Sequence, residues 1–171
     1  MIQRRVAFSL TFATAGAMAL ALTSGLSGCG FALRRPPPMP FARIALRQFP
    51  PRSGVAEALA TALRGSCEVV DDPRKADVIL VAHQDRFTRT LVASSAAGQV
   101  REVQLRVLFH FHIETSQGRV LTPRAEMMLS RDLTYNESAA LAKELEEAQI
   151  VREMQADIAL QLARRLASLS I

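Results

Sequence analysis

Residues 103–113 alternate between apolar and polar. Val103, Leu105, Val107, Phe109, Phe111 and Ile113 fall on one side; Gln104, Arg106, His110 and His112 fall on the other, followed by Glu114, with Leu108 the exception. A period of two held over eleven residues marks a half-buried antiparallel strand. The segment before it, Asp77 to Val92, opens with the Val78–Val81 run and continues through Phe87, Leu91 and Val92, so it reads as a long strand. Ser94 to Gly98 is a small-residue turn between the two. Ser116-Gln117-Gly118 turns the chain again. Val120 to Tyr135 then returns as a further strand, with Ala125, Met127, Leu129, Leu133 and Tyr135 in phase. Arg131 interrupts that apolar phase, and a bulge there would explain it.

Helical spacing flanks this block. Phe41, Ile44, Leu46 and Phe49 fit a short first strand, ended by Pro50-Pro51. Ser53 is placed to cap a helix over 54–64, with Val55, Leu59, Ala62 and Leu63 to one side and Gly65 closing it. Cys67 to Val70 adds a short extended piece, and Asp71-Asp72-Pro73 turns. Asn136 is a good cap for a last helix with no Gly or Pro to the end of the sequence. Its apolar positions, Leu141, Leu145, Ala148, Val151, Ile158, Leu162 and Leu169, recur at three- and four-residue steps. At 1.5 Å per residue that helix would be about 45–50 Å long and would cover the sheet from end to end. The expected order is β-α-β-β-β-α: an α/β two-layer sandwich, a mixed four-stranded sheet with two helices on one face.

The N-terminal stretch has a different pattern. Arg4 and Arg5 precede an uncharged apolar run from Val6 to Leu22, and Leu26-Ser27-Gly28-Cys29 follows. This is the organisation of a secretory signal. Leu26, Ser27 and Gly28 before Cys29 resemble the lipobox read by lipoprotein signal peptidase, with small residues that let the protease approach the backbone. Residues 1–28 are then removed, and Cys29 carries a covalent diacylglycerol and an N-acyl chain. An uncleaved membrane anchor is the competing reading; Gly25, Gly28 and the Cys just past the apolar run argue against it. Residues 29–40 follow, with Pro36, Pro37, Pro38 and Pro40. They read as a lipidated, proline-rich tether that reaches about 30–35 Å when extended. Gly30 stands where an Asp tends to hold enteric lipoproteins at the inner membrane, which leaves the outer membrane as the destination. The domain proper is 41–171.

Cleavage at Cys29 leaves 143 of 171 residues, enough for one domain. Losing Arg4 and Arg5 leaves 19 basic against 16 acidic residues, a mild basic excess suited to an acidic lipid or sugar-phosphate partner. Nucleic acid is an unsuitable partner, since no aromatic-basic interleaving occurs and an exported chain would not meet it. With Cys29 lipidated, Cys67 has no internal partner and reads as a packed, inert thiol beside Val69 and Val70.

Candidate chemistry is sparse. His110 and His112 share one side of a strand and His83 lies on the strand before it, which suits either a three-His metal site or a polar sheet face; no carboxylate or thiolate is placed to complete a metal site. No Gly-x-Ser-x-Gly elbow exists, and the adjacent pairs Asp71-Asp72 and Glu146-Glu147 do not converge, so no catalytic residues and no enzyme are expected. Arg86, Arg89, Arg101, Arg106, Arg131 and Lys143 remain. Arg89 and Arg101 flank the Ser94–Gly98 turn, and Lys143 sits in the first turns of the last helix. Paired cations of this kind are what gripping a phosphate requires.

A set of pieces in order along the chain resembles one family. Cys29-Gly30-Phe31-Ala32-Leu33-Arg34 is similar to the Cys-Gly-(Phe or Trp)-x-Leu-Arg opening of the LPS-assembly lipoproteins, the LptE family. Gly98-Gln99 with Glu102-Val103-Gln104-Leu105 resembles its central turn and strand. Arg131-Asp132-Leu133-Thr134-Tyr135-Asn136, Ala140-Leu141-Ala142-Lys143, Glu146 or Glu147, Arg152-Glu153-Met154 and Gln161 to Leu166 resemble its C-terminal half. The resemblance implies an outer-membrane lipoprotein that plugs and helps assemble the LptD β-barrel, partly within the barrel lumen, and binds lipopolysaccharide on its way to the outer leaflet. It puts Lys143 at a basic position of the family's long helix. The family's other basic residue precedes the central Gly-Gln; here Ala96 or a neighbour stands there, and Arg101 just past the turn is the substitute. Arg89 completes the expected contact set. The alternative is an outer-membrane lipoprotein that serves as an auxiliary binding module of another envelope transporter.

Cys29→Ala is expected to abolish palmitate labelling and to leave residues 1–28 uncleaved, with the domain's circular dichroism unchanged; a variant that is still labelled and processed at residue 29 would contradict the lipidation reading.

Overall fold

The computed structural model describes residues 38–96, 98–135 and 137–171. The signal, Cys29 and all but the last residues of the tether, as well as the Asn136 cap, lie outside the described residues. Among those described, no helix is long and apolar enough to cross a membrane.

Strand β1 (Arg43–Arg47) leads into helix α1 (Gly54–Leu63), then β2 (Glu68–Val69), a 3-10 turn at Pro73–Lys75, and the three long strands β3 (Val78–Ser94), β4 (Val100–Thr115) and β5 (Val120–Thr134). Helix α2 (Ala140–Ala167) ends the fold. The sheet runs β2-β1-β3-β4-β5. β1 is parallel to both β2 and β3, and β3-β4-β5 form an antiparallel meander. The sheet therefore has five strands, not the expected four. The extra one is the Glu68–Val69 piece, two residues long, held by Glu68 N–H donating to the Ala42 carbonyl and Val70 N–H donating to that of Ile44, each at 2.8 Å. A strand this short carries no period for a sequence to display.

The local signals at α1 act as the chemistry dictates. Ser53 Oγ accepts from the Ala56 N–H at 2.9 Å and its hydroxyl donates to the Asp85 carboxylate of β3, so the cap also ties helix to sheet. Gly65 takes φ 82° just past the helix end, a conformation other residues adopt at a cost, and the Cys67 N–H returns to the Leu63 carbonyl. At the start of β1, the Asp77 carboxylate accepts from the backbone N–H groups of Ala42 and Arg43. That backbone donation, led by Arg43, holds the Asp77 pKa below the usual carboxylate range.

Both helices pack on one face. Val55, Leu59 and Leu63 of α1 and Met154, Ile158, Leu162 and Leu166 of α2 close over Ile44, Val78, Leu80, Val103, Leu105, Val107, Phe109, Phe111 and Ile113. The alternation of β4 is preserved residue for residue. A register shift between Ala82 and Gln84 reverses the phase of β3: Leu80 and Ala82 stand opposite Ile113 and Phe111, whereas Asp85, Phe87, Arg89 and Leu91 stand opposite Phe109, Val107, Leu105 and Val103. One extra residue thus brings odd-numbered side chains onto the helix side.

Two expectations need correction. No shift occurs at Arg131, which sits in phase opposite Leu105 and reaches across to Glu153 (3.6 Å) and Asp157 (3.4 Å) of α2; the bulges of the β4–β5 pair lie near Ile113 instead. An arginine fits an inward-facing row here because its head exits between sheet edge and helix toward carboxylates. Nor does α2 cover the sheet from end to end. Only its stretch from Met154 to Leu166 is buried, whereas Leu141 and Leu145 are 73% and 67% exposed.

Leu162→Ala should therefore destabilise the domain by about 2–5 kcal/mol, and Leu141→Ala by less than about 0.5 kcal/mol, read by urea unfolding. Similar losses for the two would contradict this division of the helix.

Candidate functional site

The uncovered end of α2 lies beside the distal part of the β3–β4 hairpin. Between them is an open cleft of about 550 Å³ lined by Phe87, Arg89, Tyr135, Glu144, Glu147, Ala148 and Val151. Its polar centre is Arg89. Arg89 Nε donates to Glu147 Oε2 at 3.0 Å, and its guanidinium lies 5.5 Å from the centre of the Tyr135 ring. Tyr135 is held by its N–H donating to the Arg101 carbonyl at 2.8 Å, one residue beyond the Thr134–Glu102 pair.

The three basic residues expected to act together gather at this end but do not form one cluster. Lys143 Nζ donates to Glu146 Oε2 at 2.8 Å on its own helix. It lies one turn, about 6 Å along the axis, before Glu147. Arg101 is four residues further out along β4 than Leu105, the partner of Arg89, or about 13 Å; its Nη2 donates to Gln99 Oε1 at 3.1 Å. Among the described residues, Arg101 alone of the three has no carboxylate partner. Both ion pairs are open to solvent on one side, which leaves their cations reachable by a phosphate in exchange for Glu147 or Glu146.

The pattern of charges pointed to this end, but not its apolar character. Phe87, Leu91, Val92, Leu141 and Leu145 are all exposed. Leu141 and Leu145 continue the apolar stripe of α2 but stand exposed, because the burial of α2 is confined to the half that packs beside the much shorter α1. Glu146 and Glu147, adjacent in sequence and directed apart, are the partners of two of the cations.

The opposite sheet face carries the histidines. His83 Nε2 and His112 Nδ1 are 2.8 Å apart with rings stacked at 4.9 Å, and His110 Nε2 lies 2.8 Å from Glu126 Oε2. Desolvation, then Arg124 and the neighbouring imidazoles, push the His83 pKa down. These contacts make a side-chain network on a polar face. Among the described residues, no group of three or more His, Cys, Asp or Glu is arranged to hold a metal. Cys67 packs against the core edge, and burial raises its thiol pKa, which suppresses the reactive thiolate.

Residues 41–166 match the family described as LptE, lipopolysaccharide-assembly. The chain belongs to the LptE family. The match spans every strand and both helices of this LptE-type domain. Solved structures share its fold. Lipoprotein B of Nitrosomonas europaea is 23% identical with a TM-score of 0.68, over 81% of this chain and 91% of that one. A minor lipoprotein of Acinetobacter baumannii is 20% identical at 0.63, over 77% and 96%. The rare lipoprotein B of Shewanella oneidensis is 20% identical at 0.61, over 74% and 94%. No curated protein matches the sequence significantly.

Proposed function

We propose that this LptE-family chain is an outer-membrane lipoprotein that occupies an LptD-like β-barrel, assists its assembly and binds lipopolysaccharide during insertion into the outer leaflet. The family match over residues 41–166 carries the reading. The similar folds belong to lipoproteins, in keeping with an acylated Cys29. The size is suitable: about 143 residues gives a radius of gyration of about 14–15 Å, which fits the lumen of a barrel of many strands.

The distal end supports the ligand. Lipid A joins phosphates to acyl chains, and this surface joins Arg89, Arg101 and Lys143 to exposed Phe87, Leu91, Leu141 and Leu145. The cations would hold phosphate through charge-assisted hydrogen bonds, and the apolar side chains would cover acyl carbon. Arg101 takes the first contact because no acid must leave it. Lys143 and Arg89 follow by exchanging Glu146 and Glu147 for phosphate. This is binding and transfer, with no bond made or broken and no cofactor beyond the lipid on Cys29. The proline-rich tether lets the acyl chains stay in the bilayer while the domain occupies the lumen beside them.

Lys143→Glu combined with Arg101→Glu is expected to weaken lipopolysaccharide binding by about tenfold or more with an unchanged melting temperature. Unaltered affinity in the folded double variant would remove these residues from the site.

A further inference from the structure

Strand β5 is an edge of the sheet. Among the described residues nothing pairs with its outer side along Val120–Thr134. An open edge of this length is a template for another strand, and proteins that leave one open guard it. The ladder fixes which residues of β5 offer their backbone outward. Tyr135 N–H bonds inward to Arg101, and the register continues without a shift from Thr134–Glu102 to Ala125–Phe111. Odd-numbered residues from Ala125 to Leu133 therefore bond to β4. Arg124, Glu126, Met128, Ser130 and Asp132 turn their N–H and C=O groups outward.

The side chains on those outward positions are self-complementary. In an antiparallel pairing symmetric about Met128, Met128 meets Met128 of the second copy, Glu126 meets Ser130, and Arg124 meets Asp132 twice. On the helix side Met127 meets Leu129 twice. Shifting the register by two residues in one direction sets Glu126 against Asp132; shifting it in the other sets Arg124 against Ser130 and leaves no opposite charges facing. Neither neighbouring register matches charge; a register six residues away would set Arg124 against Glu126, but Glu126 is already engaged by His110 and the overlap is shorter. The groups are available for it: Arg124 makes no side-chain hydrogen bond or ion pair within the described residues, Asp132 accepts only from the neutral Gln104 amide, and Met128 is 51% exposed.

We infer that the β5 edge pairs with a second copy of this chain, antiparallel about Met128, to form a continuous ten-stranded sheet. The charges that deter other strands are the ones that select this partner. The pairing belongs to the chain free of any barrel, and it stands independently of the lipopolysaccharide reading.

The test is sedimentation of the full chain, extracted in mild detergent without a barrel protein, over rising concentration. The wild type should pass from monomer to dimer. Arg124→Asp or Asp132→Arg alone should weaken the dimer by about tenfold or more, since each places like charges opposite each other twice. An equimolar mixture of the two single variants should recover the dimer as a heterodimer, and the doubly exchanged variant should recover a homodimer. Recovery on mixing also shows that both single variants are folded. A wild type that stays monomeric throughout, single variants that dimerise as well as wild type, or a mixture that recovers nothing would each overturn the inference. A monomer that pairs through β5 only when barrel protein is added would assign the edge to that protein instead.

Discussion

The fold depends on one row of side chains. Seven alternate positions of β4, Val103 through Thr115, are all buried, and everything else is arranged to keep water from them. Both helices lie on that side, the β3 bulge at Ala82–Gln84 returns its second half to the same side, and β5 stays in phase along most of its length. The opposite face consequently has no apolar layer to bury beyond Ala45, Ala76, Ile79 and Val81, and carries the His83–His112 and His110–Glu126 contacts.

The same constraint explains why the domain is asymmetric along its length. α2 has 28 residues, about 42 Å at helical rise, and its burial is confined to the half beside α1. Where α1 and the short strands end, the hairpin of β3 and β4 faces the exposed turns of α2 across an open cleft. Phe87, Leu91, Leu141 and Leu145 are left exposed beside Arg89 and Lys143. Apolar and basic groups meet there because the core stops there, which is how a small two-layer domain acquires an amphipathic end without a dedicated pocket.

Much of this was legible in the sequence. The β4 alternation, the Ser53 cap and Gly65 stop of α1, and the two turns of the meander were each read from local chemistry, and each stands within a residue or two. What escaped depended on distant partners. β2 is a strand only because β1 accepts it. Arg131 is in phase only because Glu153 and Asp157 wait on α2. The pairing of Arg89 with Glu147 joins residues far apart in sequence, and no spacing rule predicts it. The helix stripe was right in period and wrong in reach, since periodicity states which side of a helix is apolar but not where the opposing layer ends. The three proposed ligand cations lie toward one end of the domain, but no spacing in the sequence identifies Glu146 and Glu147 as the partners of two of them.

The central claim is that this domain serves as the plug of a lipopolysaccharide-translocating barrel. Purification of the chain from its own envelope at native expression, followed by identification of stoichiometric partners, tests it most directly. The account predicts one large β-barrel protein in equal amount. Recovery of inner-membrane transporter subunits alone, with no barrel, would contradict it.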